Sequence, residues 1–239
     1  MENGIKAYKR VLIKLSGEAL AGEKKTGIDI AVITSVCQAI KRCLDSGVQV
    51  SLVIGGGNFW RGVKDGAGKV ERVSADRMGM LATAMNCLAV ADVFRTLGVD
   101  ARVQTAVEIG GVGERYDTAA AVRYLETGKV VLFACGTGCP FFSTDTAAAL
   151  RAAETGAEVI LLAKNIDGVY SADPKTDPTA VKYDTITYAE VLAQRLAVMD
   201  TTATSLAMDN DIPVLVFALA EPENLVRAAM GEQVGTLVH

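Results

Sequence analysis

The chain has 239 residues, of which 50% are hydrophobic and 22% are charged, and its formal net charge is −4. These values suit one domain with a large core, and an acidic chain without a polybasic run argues against a broad nucleic-acid-binding surface. No window approaches the roughly 18 consecutive apolar residues of a membrane span, and no apolar stretch of signal-peptide length stands at the N-terminus, so we expect a cytoplasmic protein.

Apolar runs rich in β-branched residues alternate with helical patterns along the chain. The runs predict strands over residues 11–15, 48–54, 101–105, 130–134, 158–162 and 214–217. Apolar residues three and four positions apart predict helices over residues 29–46, 76–97, 118–127 and 144–155. This alternation predicts an α/β fold, a three-layer α/β/α sandwich around a central, mostly parallel sheet, with residues 1–239 forming a single domain.

Capping and turn residues mark some of the boundaries. Asp29 is a plausible N-cap for the first helix, and Gly47, Gly98 and Gly128 each follow a helical pattern and precede a strand. The segment 167–184 contains two prolines and many turn-forming residues, so we expect an extended loop or a hairpin there.

Cysteine and histidine usage excludes two kinds of site. The five cysteines are an odd number without a CxxC pair, and the one histidine is His239, so neither a disulfide framework nor a zinc site is expected. The spacing of Cys135 and Cys139 suits either redox chemistry or small buried residues, and we favour the second. The sequence identifies no metal ligand.

Three loops of small residues follow predicted strands, at residues 15–18, 55–58 and 136–138. Ligands of open α/β sheets bind at the carboxyl ends of strands, where glycine lets backbone N–H groups approach phosphate oxygens. One such loop can be a mere connection, but three together favour a polyphosphate site. The P-loop pattern is absent, because Val63 and Val70 stand where its first glycine and its hydroxyl should be.

Three residues near these loops suit phosphoryl transfer. Lys14 precedes the first loop and could stabilise transition-state charge, and Arg61 follows the second loop and is either a phosphate clamp or a surface residue. Asp145 opens a predicted helix, where it could orient Lys14, bind magnesium or act as a cap. Since His239 is the only histidine, an acceptor that is already anionic is favoured, although an aspartate could serve as a base.

Five motifs together identify a family resemblance. They are KLSGEAL at residues 14–20, VIGGGNFWRG at 53–62, DRMGMLATAMN at 76–86, GTGCPFFSTDTAAALRA at 136–152 and DGVYSADP at 167–174. In this order, over nearly the whole chain, the sequence resembles the bacterial UMP kinases of the amino acid kinase superfamily. The resemblance implies reversible transfer of the γ-phosphoryl group of ATP, accompanied by Mg²⁺, to UMP, giving UDP and ADP for pyrimidine nucleotide synthesis. The alternatives are a nucleotide-sensing regulatory protein and a kinase acting on a carboxylate or carbamate.

The positions that match the family's motifs identify the expected site residues in this chain. The resemblance implies that Lys14, Arg61 and Asp145 are catalytic. It assigns ATP binding to Lys14, Leu15, Ser16, Gly17, Gly57, Arg61, Lys164, Asn165, Tyr170 and Asp173. The last four of these residues would form the adenine side. It assigns UMP binding to Gly56, Asp76, Thr137, Gly138, Cys139, Pro140, Phe141, Phe142, Ser143 and Thr144.

Structural alternatives stand beside several of these assignments. Asp76 either faces a ribose hydroxyl or caps the helix expected to begin there. Phe141 and Phe142 either form a wall for uracil or pack into the core, and Tyr170 and Asp173 are either adenine-side contacts or turn residues.

The resemblance also concerns assembly and regulation. It implies a homohexamer that UTP inhibits. Many relatives carry Gly-Phe-Gly in the region for GTP activation, where residues 22–27 are GEKKTG, so activation by GTP is left open. On the adenine side, residues 162–165 are Leu-Ala-Lys-Asn rather than the commoner Lys-Ala-Thr pattern, and the usual threonine contact is not matched.

Overall fold

The computed structural model describes residues 7–61 and 68–239, and Val63 of the P-loop comparison lies outside these ranges. A nine-stranded sheet and a two-stranded hairpin are present in the described part. The strands are β1 Arg10–Leu15, β2 Gln49–Ile54, β3 Ala101–Thr105, β4 Glu114–Arg115, β5 Val130–Ala134, β6 Val159–Lys164, β7 Val169–Tyr170, β8 Lys182–Tyr183, β9 Thr185–Ile186, β10 Val214–Ala218 and β11 Thr236–Val238. The helices are α1 Ile30–Asp45, α2 Arg72–Thr96, α3 Thr118–Glu126, α4 Thr144–Thr155, α5 Tyr188–Ala193, α6 Thr201–Asp209 and α7 Glu223–Ala229, and a 3₁₀ segment spans Gly17–Lys24.

The large sheet has the strand order β4-β3-β5-β2-β1-β6-β10-β11-β9. Within this sheet, as far as the structure describes it, only β10 and β11 pair in antiparallel fashion. Strand β1 lies in the middle, with Leu15 paired to Ile54 of β2 on one side and to Ala163 of β6 on the other. The predicted mostly parallel α/β architecture is therefore confirmed.

Alternate residues of the strands bury two separate cores. Val11, Ile13 and Leu15 of β1 pack with α1, α2 and α7 on one face. Leu12 packs with α3, α4, α5 and α6 on the other. Such double-sided burial explains the continuous apolar runs in the strands. It also places Lys14, which has the same parity as Leu12, on the α4 side of the sheet.

The observed caps follow the sequence at most helix ends. Asp29 accepts hydrogen bonds from Ala31 N and Val32 N, as predicted, and Ser143 caps α4. Helix α2 is different, because it begins at Arg72 with Glu71 as its N-cap. The alternative that Asp76 caps this helix is therefore wrong, since Asp76 lies inside it.

Helix α2 is long and apolar enough to cross a membrane by length and composition, but 56% of the relevant window is buried. Its residues Ala84, Cys87 and Phe94 pack into the first core. The apolar length of α2 is thus explained by its packing against the sheet.

The segment predicted as a loop or hairpin is a hairpin. Strands β7 and β8 pair in antiparallel fashion, with Val169 opposite Tyr183. A Cβ on Gly168 would lie 2.6 Å from Thr236 Oγ1, so the start of the hairpin is packed tightly against β11.

Candidate active site

The three glycine loops lie at one edge of the sheet. They follow β5, β2 and β1, which are parallel neighbours, so their carboxyl ends lie together. The first two loops also touch, because a Cβ on Gly17 would lie 2.4 Å from Asn58 Oδ1 and 2.5 Å from Gly55 O. Only glycine permits this approach of one backbone to another. The predicted convergence of the loops is confirmed.

Two buried asparagines fix the second loop to α2. Asn58 Nδ2 donates to Asn86 Oδ1 (2.9 Å), and Asn86 Nδ2 donates to Asn58 Oδ1 (2.8 Å) and to Gly55 O (2.7 Å). Buried amides with all these partners satisfied hold a loop in one conformation. Asn86 belongs to a motif quoted above, but sequence analysis gave it no role, because its partners lie far away in the chain.

Lys14 and Asp145 meet at the end of the first loop. The distance from Lys14 Nζ to Asp145 Oδ1 is 2.5 Å, and the side chains are only 12% and 19% exposed. Asp145 lies in the first turn of α4, directly after Thr144. The sequence suggested this pairing without being able to establish it. A lysine held in this way beside glycine loops can stabilise negative charge on a transferring group.

A second lysine, Lys164, approaches the same pair from β6. Its Nζ donates to Ala197 O (3.2 Å) and to Val198 O. Burial lowers the pKa of the Lys164 amine; the carboxylate of Asp145 opposes this shift, and the charge of Lys14 adds to it. Lys164 is therefore close enough to both members of the pair for their charges to act on it.

Asp200 is a residue of this region that sequence analysis missed. Its carboxylate accepts from the Ser143 hydroxyl, from the Thr146 hydroxyl (3.0 Å) and from Ala203 N (2.9 Å). It therefore caps α6 and holds the first turn of α4 at the same time. An aspartate before a helical pattern predicts an N-cap. The neighbouring sequence does not indicate that the same carboxylate also binds the hydroxyl groups of Ser143 and Thr146.

Arg61 lies on the side of the second glycine loop that faces the 3₁₀ segment. Its guanidinium lies 2.7 Å from Glu18 Oε1, and its Nε donates to Gly57 O (3.4 Å). Both side chains of the ion pair are partly exposed. An arginine in this position can exchange its carboxylate partner for a phosphate.

A cavity of about 140 Å³ opens between α2 and the third glycine loop. Seven of the residues predicted for UMP line it, namely Gly56, Asp76, Thr137, Cys139, Phe142, Ser143 and Thr144. Small-molecule sites usually measure roughly 300–1,000 Å³. The cavity can therefore hold part of a nucleotide, with the rest extending towards the open edge of the sheet.

Asp76 is the acidic residue in this cavity. Its Oδ2 accepts from Phe141 N (2.7 Å) and pairs with Arg72 Nε at 2.8 Å. Both contacts use the same oxygen, and in the described part of the chain the structure gives Oδ1 no comparable partner. Asp76 can thus accept a hydrogen bond from a ligand hydroxyl while it remains anchored.

The two phenylalanines at the mouth of the cavity are exposed. Phe141 is 65% exposed and Phe142 is 51% exposed, so the alternative that they pack into the core is wrong. Phe142 lines the cavity. Phe141 has a backbone φ of +73°, and its ring lies under the Arg72 guanidinium, with 4.9 Å between the ring centroid and Arg72 Cζ. Gly138, two residues before Pro140, has φ +81°, and a Cβ there would lie 2.9 Å from Ala106 O.

The residues predicted for the adenine side lie at or near the hairpin. Tyr170 donates its hydroxyl hydrogen bond to Asp167 (2.8 Å), which raises the pKa of Tyr170. Asp173 is exposed and accepts from Lys175 N (2.9 Å), as expected of the alternative turn residue, and Asn165 is exposed. Asn165, Tyr170 and Asp173 line neither the cavity beside α2 nor the larger cavity described below.

The cysteines divide into buried and exposed groups. Cys37, Cys43, Cys87 and Cys135 are buried, and burial raises the pKa of Cys37 to about 12 and of Cys43 to about 11. Cys139 is exposed in the cavity lining, so the expectation that it is buried is wrong.

A larger cavity, of about 510 Å³, lies at the opposite end of β10. It is lined by Tyr188, Met208, Pro213, His239 and three further residues, none of which belongs to the predicted site. Its lining contains no residue of a glycine loop, whereas Gly56 and Gly136 line the smaller cavity, so the smaller cavity is the better candidate for a phosphate-bearing ligand.

Comparison with known proteins agrees with this geometry. The model of the amino acid kinase family matches residues 9–218. The chain belongs to the amino acid kinase family. The structure is similar to that of a UMP kinase from Bacillus anthracis, with a TM-score of 0.94 and 38% identity over 98% of this chain and 97% of that one.

Other solved structures extend the likeness within the family. A UMP kinase from Ureaplasma parvum has a TM-score of 0.91 and 37% identity, covering 97% of this chain and 98% of that one. A uridylate kinase from Archaeoglobus fulgidus has a TM-score of 0.74 and 29% identity, covering 96% and 99%. The likeness spans nearly the whole chain in each case.

Proposed function

We propose that this chain is a UMP kinase, which transfers the γ-phosphoryl group of ATP to UMP and gives UDP and ADP. The observation that carries the proposal is the position of the Asp76 cavity, whose lining ends at Ser143 and Thr144, directly before the Asp145 carboxylate that pairs with Lys14. The full-length likeness to two UMP kinases at 37% and 38% identity supports the same substrate.

The arrangement suits an acceptor that is a phosphate. An oxygen of the UMP phosphate attacks the γ-phosphorus of ATP, and the bond from that phosphorus to the bridging oxygen of ADP breaks. This oxygen is already ionised, so the step needs no base. The N-terminus of α4 supplies N–H groups and a positive dipole end for the acceptor phosphate, and Lys14 neutralises charge on the transferring group.

Asp76 gives the site its preference for a sugar hydroxyl. A carboxylate accepts hydrogen bonds from the ribose but repels phosphate, which orients the nucleotide with its phosphate towards α4. Phe142 lies in the same lining and offers an apolar surface to the base.

ATP occupies the opposite side of the loops in this proposal, against Lys14, Leu15, Ser16, Gly17, Gly57 and Arg61, with its adenine towards Asn165, Tyr170 and Asp173. The described residues contain no group of three or more His, Cys, Asp or Glu side chains suited to a metal. Mg²⁺ usually takes one or two carboxylates and several phosphate or water oxygens, so Asp145 beside the ATP phosphates fits it. The metal, when bound, neutralises phosphate charge.

The acceptor assay tests this proposal. Purified protein is given Mg-ATP with UMP, CMP, dUMP, acetylglutamate, aspartate or carbamate, and ADP release is measured. We expect activity mainly with UMP. Turnover with acetylglutamate, aspartate or carbamate but not UMP would identify a different kinase, and tight UMP binding without any turnover would identify a nucleotide-sensing protein.

The chain is also proposed to assemble with copies of itself into a homohexamer. Helix α2 exposes four large apolar side chains, between 38% and 51% exposed, namely Met78, Leu81, Met85 and Leu88. Their spacing of three, four and three residues puts them on one helix face, as in helices that pair with another helix. A contiguous face of this kind on a cytoplasmic enzyme favours a protein partner, and a second copy of the chain supplies a matching one.

Regulation and location complete the proposal. We place a single domain of residues 1–239 in the cytoplasm, where it serves pyrimidine nucleotide synthesis, and we expect UTP to inhibit it by competing for the UMP site. Whether GTP activates it is a question for the same ADP assay, with GTP added at fixed ATP and UMP.

A further inference from the structure

Lys164 is in an environment that an adenine contact does not explain. Its side chain extends from the carboxyl end of β6, the strand next to β1, and its amine is enclosed well enough for burial to lower its pKa. An adenine ring has no need of a positive charge, and a neutral donor would serve it at a smaller desolvation cost.

Strand parity puts the two lysines on the same side of the sheet. In β1, Leu12 faces the second core, and Lys14, two residues further on, lies on the same face of the sheet. In β6, Leu162 faces that core, and Lys164 lies two residues further on in the same way. Since Lys14 pairs with Leu162 across the two strands, Lys164 lies two residues further towards the open edge. The two side chains therefore stand on neighbouring strands, below the first turn of α4.

The charges at this point do not balance without a ligand. Lys14 and Lys164 are both cations, and the carboxylate that acts on both is Asp145. The other carboxylate of this region, that of Asp200, is occupied by the hydroxyls of Ser143 and Thr146 and by Ala203 N. Two enclosed ammonium groups with one shared carboxylate leave an excess positive charge, which is costly in a poorly solvated site. A polyphosphate removes this cost, because its anionic oxygens can contact both amines.

The hydrogen bonds of Lys164 leave it able to bind a ligand. Its amine donates to Ala197 O and Val198 O, in the turn that leads to Asp200. An ammonium group has three N–H donors, so two of them fix the amine and a third remains for a phosphate oxygen.

We propose that Lys164 is a second phosphate-binding cation of this site, which contacts the ATP phosphates opposite Lys14, rather than a contact for adenine. This inference rests on the proposed function for its substrate, but its test does not require turnover. The adenine then depends on Asn165 and the hairpin alone.

Binding of AMPPNP and of inorganic tripolyphosphate, each with Mg²⁺, tests the proposal by titration calorimetry. Lys164→Met removes the charge and the hydrogen bonds, whereas Lys164→Gln removes the charge but keeps an amide donor for the Ala197 and Val198 carbonyls. We expect both variants to weaken both ligands by about 10- to 100-fold and by similar factors, since a lost charge-assisted contact typically costs this much. Lys41→Gln on α1, whose lysine pairs with Asp45, is the matched control and should change neither affinity.

Several outcomes would overturn the inference. If the variants lose affinity for AMPPNP but not for tripolyphosphate, Lys164 contacts adenine and not the phosphates. If Lys164→Gln keeps the wild-type affinities, the charge of Lys164 does not contribute to binding and only its hydrogen bonds do. Circular dichroism of each variant checks that it is folded. If the unaltered protein binds tripolyphosphate but not AMPPNP, the proposed kinase function fails while the phosphate role of Lys164 is still tested by its variants; if it binds neither, both proposals fail.

Discussion

Lys14 is the residue on which the proposed chemistry depends most. Its ammonium lies 2.5 Å from Asp145 Oδ1, and the residue directly precedes the first glycine loop. We expect Lys14→Ala to lower kcat for UMP phosphorylation by about 10²- to 10³-fold, because a positioned charge acts mainly in the transition state. Steady-state kinetics measures this, with Lys129→Ala, whose lysine pairs with Asp100, as the control. Near-normal turnover would remove Lys14 from the mechanism.

Cys139 offers a direct report on the acceptor cavity. It is the exposed cysteine of the cavity lining, whereas Cys37, Cys43, Cys87 and Cys135 are buried with raised pKa values. We expect a thiol reagent to label the native protein once, at Cys139, and UMP to slow the labelling, since thiolates react and buried thiols do not. Mass spectrometry of the labelled peptides gives the site. Labelling that persists in Cys139→Ser, or a rate that UMP leaves unchanged, would contradict this.

The sequence predicted individual site residues but not the contacts between them. Lys14 and Asp145 were predicted because each stands at a recognisable local position, a strand end before a glycine loop and a helix start. Their contact, and the bonds from Asp200 to Ser143 and Thr146, depend on packing between distant parts of the chain. A side chain that acts through such contacts has no local signature.

Among the secondary structure elements, α4 depends on α6 for the position of its first turn. Asp200 caps α6 through Ala203 N and also accepts from Ser143 and Thr146. We expect Asp200→Ala to lower the free energy of unfolding by about 2–4 kcal/mol, since a cap and two side-chain hydrogen bonds are lost together. Asp117→Ala removes the cap of α3, for which one bond to Ala120 N is observed, and should cost about 1 kcal/mol. Urea unfolding measures both, and equal losses would mean that the link to α4 contributes nothing.

The elements of the first two thirds of the chain were predicted well. The predicted bounds of β3, β5 and α4 coincide with the observed ones, because continuous apolar runs and clear caps define them. Strands β4, β9 and β11, helices α5, α6 and α7 and the 3₁₀ segment were missed. They have between two and nine residues, too few for a helical or strand period to stand out. The missed helices depend on tertiary packing, in which α6 lies against α4, α5 against α6, and α7 against α1.

At the scale of the whole molecule, the proposed assembly uses the exposed face of α2 as the contact between copies of the chain. We expect Leu81→Glu to convert the oligomer into a smaller species, because a charge in the centre of an apolar contact costs several kcal/mol. Ile30→Glu is the control, since Ile30 is also exposed but lies at the start of α1, where a glutamate is favourable. Light scattering after size-exclusion chromatography gives the mass. An unchanged mass for Leu81→Glu would mean that the interface does not include this face of α2.

The central position of β1 has a consequence for how the protein is made. One edge of β1 is covered by β2 soon after synthesis, but its other edge pairs with β6, whose residues Val159–Lys164 leave the ribosome much later. Every residue lining the acceptor cavity precedes β6, and so do Lys14 and Asp145. A nascent chain therefore carries all these residues while one edge of β1 is still unpaired. The acceptor cavity is completed only later, when Asp200 before α6 has been made and holds Ser143 and Thr146 at the start of α4, so a bound nucleotide can protect the chain against aggregation only after that point.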